Sequence, residues 1–143
     1  GGVLIIDSVS RPYEFRVTSP IKPTQLQKIL YGKSLVEYMY GELICLPLLK
    51  QVKEIISLAV CHDDNLLVAR PNIQFPLISI NKQKQNPGVN EINAITIRTH
   101  KNFLSERAHA EVQLNMMSNQ FDIFEPFERV KLALSEVHKQ KVN

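Results

Sequence analysis

Two apolar, β-branched runs separated by a short crossover constrain this chain more than any other feature: Ile55-Ile56-Ser57-Leu58-Ala59-Val60-Cys61 and Phe75-Pro76-Leu77-Ile78-Ser79-Ile80. Runs so uniformly apolar read as strands covered on both faces. Between them, His62-Asp63-Asp64-Asn65 supplies a turn and a helix cap, and Leu66 to Arg70 can form only a short helix. Strand, crossover and strand is the pattern of a parallel pair, since antiparallel neighbours can be joined by a tight turn. The first run is expected to be the central strand.

The flanking segments add strands and helices. Val3 to Ile6 and Tyr13 to Val17 read as paired strands around turn chemistry at Asp7 to Pro12. Thr24-Gln25-Leu26-Gln27 is a capping box, and Leu26, Ile29 and Leu30 form the stripe that this helix is expected to bury. Ser34-Leu35-Val36-Glu37 is a second capping box, and Pro47 must kink the helix that follows or begin a new one. Asn81 to Asn90 has no apolar period and reads as a loop, Ile92 to Thr99 as a strand with one polar side. Two helices close the chain, from about Leu104 to Asn119 and from Pro126 to about Lys139; Phe127, Val130, Leu134 and Val137 form the stripe of the last. The expected architecture is α/β or α+β: a mixed sheet of about five strands with a parallel central pair, helices packed on it, and two C-terminal helices.

With 143 residues, 44% hydrophobic and 22% charged, the composition is that of one folded domain over 1–143 rather than a disordered chain. The opening Gly1-Gly2 lacks Met, the start expected of a fragment of a longer chain. Cys45 and Cys61 lie in apolar runs outside any C-x-x-C or zinc-ligand spacing, so they are expected as buried free thiols in a reducing, cytoplasmic setting. The longest apolar stretch, Leu43 to Leu49, falls far short of a membrane span and points away from a membrane partner. A net charge of +3, spread along the chain, is weak evidence for an anionic partner.

Phosphate-binding glycine loops, a nucleophile elbow and a His-Glu-x-x-His pair are all missing from the sequence. One constellation depends on strand order. Asp7, the group His62-Asp63-Asp64, and Arg98 with His100 each follow an expected strand, and parallel neighbours would gather them at one carboxyl edge. There Asp7, Asp63 and Asp64 could hold Mg²⁺ or Mn²⁺, Arg98 could stabilise a phosphoryl group, and His62 or His100 could move a proton. Each residue also has an ordinary explanation, since Asp after a strand is a turn former and helix cap. A second constellation is basic: Arg11, Arg16, Lys82, Lys84 and Lys101 could contact nucleic-acid phosphates, although Glu14 and Glu91 interrupt it.

No cofactor is evident; a divalent metal enters only with the hydrolytic reading. In the absence of a self-sufficient catalytic motif, the expected function is a non-catalytic binding or assembly domain, whose partner is another protein or a second copy. A metal-dependent phosphoester hydrolase or nuclease and a nucleic-acid-binding module are the alternatives.

Overall fold

The computed structural model describes residues 1–83 and 95–142. Their five strands divide into two sheets: a hairpin of β1 (Gly2–Ile6) and β2 (Pro12–Val17), and a three-stranded sheet of β3 (Ala59–Cys61), β4 (Leu77–Lys82) and β5 (Ile95–Thr99). In the second, β3 runs parallel to β4 and β5 antiparallel to it. The parallel pair therefore exists, but the run from Ile55 is not the central strand. Only Ala59–Cys61 pairs, at the sheet's edge, and Ile55 is 98% exposed. The middle position belongs to β4, whose Leu77, Ile78, Ser79 and Ile80 are all buried. Apolarity alone did not separate the two runs; the covered strand is the one with a neighbour on each side.

The hairpin turn is organised by Asp7, whose Oδ1 accepts from the amides of Val9 (3.0 Å) and Arg11 (2.8 Å) while Oδ2 takes the Arg11 Nε (2.8 Å). Those donors, the Arg11 amide foremost, hold the Asp7 carboxyl below the usual carboxylate range. Ser10 adopts φ 70, a left-handed conformation that costs a non-glycine residue, and Arg129 secures it by donating to its carbonyl (2.9 Å) and hydroxyl oxygens. On β2, Glu14 accepts from the amides of Lys53 (3.0 Å) and Glu54 (3.3 Å), tying the hairpin to the start of the Lys53–Leu58 segment.

The helical segment begins as the sequence predicts. Thr24 and Gln27 cap each other's amides at the start of α1 (Gln25–Tyr31). Ser34 makes no cap; its hydroxyl donates to the Tyr31 carbonyl (2.7 Å) within a 3-10 turn that leads into α2 (Leu35–Glu37). A π-helical stretch, Tyr38–Cys45, then precedes α3 (Leu46–Gln51), so Pro47 lies in the first turn of a new helix, where its missing amide costs least. Gly41 in the π-helical stretch is packed so closely that a Cβ would stand 2.5 Å from a Val68 methyl group.

Both faces of the second sheet are covered. On one, Leu77 and Cys61 join Cys45, Leu67, Ala69 and Ile73, drawn from the helical segment and from the 3-10 run Asp64–Asn72 that forms the crossover. On the other, Ile78, Ile80 and Ile97 pack with Ala110 and Leu114 of α4 (Glu106–Ser118) and with Ile123 just before α5 (Glu125–Val142). Met117, Phe121 and Phe124 complete that layer, while Met116 faces outward. The first turns of α5 pack on β1, where a side chain at Gly2 would meet Leu134 and Val130.

Cys45 and Cys61 are buried free thiols. Burial pushes Cys45 up to about 11 and Cys61 up to about 12 from an ordinary 9.0. A thiol pKa raised on folding supports the native state fully below the unfolded value, and the support is lost as pH rises through the window up to the folded value. The stability advantage of the wild type over Cys45→Ala/Cys61→Ala is therefore expected to be constant below about pH 8 and to shrink toward about pH 11. Urea unfolding of both proteins across that range checks it, and an advantage that stays flat throughout would contradict the thiol assignment.

Candidate functional site

The richest polar arrangement among the described residues is built across the three-stranded sheet, around Asp64. Ser79 in β4 lies opposite Cys61 of β3 and Arg98 of β5, so these residues share one sheet face, and Asn81 joins them two positions along. The crossover run opens beside them. Asp63 caps it, with Oδ1 accepting from the Asn65 amide (2.9 Å) and side chain (3.0 Å), and Asp64 is its first residue. The Asp64 carboxylate accepts from the Ser79 hydroxyl at 2.5 Å and the Asn81 side-chain Nδ2 at 3.3 Å on one oxygen, and its other oxygen forms an ion pair with Arg98 at 3.2 Å. Ser79 is completely buried, so this bond satisfies a hydroxyl that the core would otherwise strand.

The sheet topology decides which predicted residues meet. Asp64 and Arg98 come together. Asp7 belongs to the separate hairpin and is occupied by its own turn. Because β5 runs antiparallel to β4, His100 follows the end of β5 opposite Ile78, whereas His62 follows β3 near the other end of the sheet. His62 rests against Phe124 and Phe127 at ring distances of 5.5 and 5.2 Å. His100 accepts from the Asn102 amide through Nδ1 (3.1 Å) and meets the Phe103 ring edge-on. The single carboxyl edge required three parallel neighbours, which the hairpin and the antiparallel β5 do not provide. Among the described residues no three His, Cys, Asp or Glu side chains group as a metal-holding set.

The basic positions are likewise dispersed. Arg11 pairs with Asp7 and Arg16 with Glu14. Lys82 lies over the Phe124 ring, 4.9 Å from its centre, at the end of the sheet away from Lys101. Lys84, with the rest of the loop expected from Asn81 to Asn90 beyond Gln83, lies outside the described residues.

Sequence reasoning did not pick out Ser79 and Asn81, although polar residues alternating with the apolar ones of β4 were the visible signal. Replacing Asp64 by Ala leaves the Ser79 hydroxyl without its anionic acceptor and is expected to lower stability by about 1–3 kcal/mol. Asp64→Ala/Ser79→Ala should recover much of that loss, because no stranded hydroxyl remains. Strict additivity of the two single changes in chemical denaturation would sink this account.

The second site is a surface. Leu26, Ile29 and Leu30, the stripe expected to be buried, are 63%, 67% and 72% exposed. No residue of α1 is buried: Gln27 alone is half-buried, and Tyr31, one turn on, stacks on Tyr38 with ring centres 4.2 Å apart. Val36 in α2 is also exposed. Lys22, Lys28 and Lys33 stand exposed around the stripe, and no acidic residue occurs between Glu14 and Glu37. No helix among the described residues is long and apolar enough to cross a membrane. Compared with known proteins, the chain matches no family model, and neither a curated protein nor a solved structure is significantly similar to it.

Proposed function

We propose that this chain is a non-catalytic binding or assembly domain that presents the outward stripe of α1 to another protein. The observation that carries this reading is the orientation of that helix. An amphipathic helix normally turns its apolar stripe to its own core, since each aliphatic side chain left in water forgoes roughly 1.5–3 kcal/mol of burial. Here Leu26, Ile29 and Leu30 face solvent, and no residue of α1 is buried. Contiguous exposed apolar surface rimmed by polar residues marks interaction sites. The polar groups around Asp64 are meanwhile engaged with one another in holding the crossover to the sheet.

A photo-crosslinking residue placed at Ile29, in cells that produce the protein naturally, should yield one or a few defined protein adducts. Leu26→Gln/Leu30→Gln should remove them while leaving the melting temperature unchanged or slightly raised. A diffuse ladder of adducts indifferent to those substitutions, or a variant that unfolds because the stripe is core, would refute the reading.

A further inference from the structure

Resting on that reading, we infer that the occupant of the α1 face is an acidic amphipathic helix of another protein. Two observations select it over a second copy of this chain. The first is charge. Lys22, Lys28 and Lys33 are exposed along the segment that carries the stripe, and no acidic residue occurs in sequence between Glu14 and Glu37, the latter next to Val36. A symmetric dimer places the same patch on both partners, so it would press lysine against lysine. A partner carrying Glu or Asp beside its apolar positions turns the same charges into attraction and sets its orientation.

The second is area. At about 100 Å² of apolar surface per aliphatic side chain, the exposed parts of Leu26, Ile29, Leu30 and Val36 offer roughly 250 Å². A stable interface takes about 800 Å² from each partner. The patch suits a single helix laid along α1 in a weak, exchangeable complex, with its anchors at i, i+3 and i+4 matching the spacing of Leu26, Ile29 and Leu30. The stacked Tyr31 and Tyr38 add a stiff aromatic flank beside it.

The test uses a fluorescein-labelled peptide of about 20 residues, long enough to hold helix, with Leu at helical anchor spacing and Glu at the remaining positions. A twin carries Lys in place of Glu. Fluorescence anisotropy with the whole chain at low salt should show saturable binding of the Glu peptide and at least tenfold weaker binding of the Lys peptide. Leu26→Gln/Ile29→Gln/Leu30→Gln should abolish binding, and Lys22→Glu/Lys28→Glu/Lys33→Glu should reverse the preference between peptides. Thermal melts show whether each variant is folded. Equal binding of the two peptides overturns the inference, as does a dimer in sedimentation equilibrium that the Gln variant dissolves. Flotation with phosphatidylserine vesicles, without peptide binding, overturns it in favour of a lipid surface. If the peptides fail while the crosslinked adducts at Ile29 persist, the binding face stands and only the acidic helix is wrong; if both fail, the face itself is wrong.

Discussion

Ile80→Ala is expected to lower the stability of this protein by about 3–4 kcal/mol, within the range for aliphatic deletions from fully buried sites. Ile80 is completely buried on the middle strand, between Ile97 of β5 and the helical layer of Ala110 and Leu114. The main chain on both sides of β4 is held by ladder hydrogen bonds, so the neighbours cannot close over the missing methyl groups and a cavity remains. For a chain of this size each kcal/mol moves the melting temperature by about 2–4 °C, so a fall of roughly 10 °C is the expected reading. Ile55→Ala is the matched control. The same residue type in the run expected to be central is 98% exposed, and its truncation should fall within about 0.5 kcal/mol of the wild type. Equal losses at the two positions would contradict the placement of β4 in the middle of the sheet.

Arg70→Ala is expected to cost a comparable amount, about 3 kcal/mol, for an electrostatic reason. Arg70 reaches from the crossover to α4, where its Nη2 and Nε donate to the Glu106 carboxylate at 2.5 and 2.9 Å. Its Nη1 donates to the Ile73 carbonyl at 3.0 Å, and its guanidinium carbon stands 3.9 Å from the centre of the Phe103 ring. The two side chains are only 11% and 13% exposed, so removing the arginine leaves a carboxylate with little water to replace it. Arg70→Met/Glu106→Leu, which removes both charges and keeps the volume, should be substantially more stable than Arg70→Ala. A double-mutant cycle by urea unfolding measures the coupling, and a coupling below about 0.5 kcal/mol would place this pair among ordinary surface ion pairs. No cap or motif announced it, because Arg70 and Glu106 are 36 residues apart in sequence.

The helix α1 shows where the reading of a sequence stops. Its start was legible to the residue, because the Thr24 and Gln27 side chains bond amides within the same turn and need nothing from elsewhere. Its stripe was legible too, but not the side on which it would lie, since periodicity records which residues share a face and says nothing of what that face meets. The candidate site divides in the same way. That one of Asp63 and Asp64 caps the crossover follows from local chemistry; that Asp63 does so while Asp64 joins Ser79, Asn81 and Arg98 needed segments from three parts of the chain to fall into register.

What is closed over a few residues was legible in the residues themselves: the turn chemistry from Asp7 to Pro12, the cap at Thr24, a cap within His62–Asn65, a break at Pro47 and the apolar stripes. The sequence also determined that a parallel pair joins the segments at Ala59–Cys61 and Leu77–Lys82, because the crossover is too long for a tight turn. The tertiary structure decided which of the two apolar runs is covered on both sides, that β1 and β2 form a sheet of their own, that β5 runs antiparallel and carries His100 away from His62, and that α1 faces outward. Those outcomes depend on competition among apolar surfaces for a limited interior, and each surface's share is set by all the others rather than by its own residues.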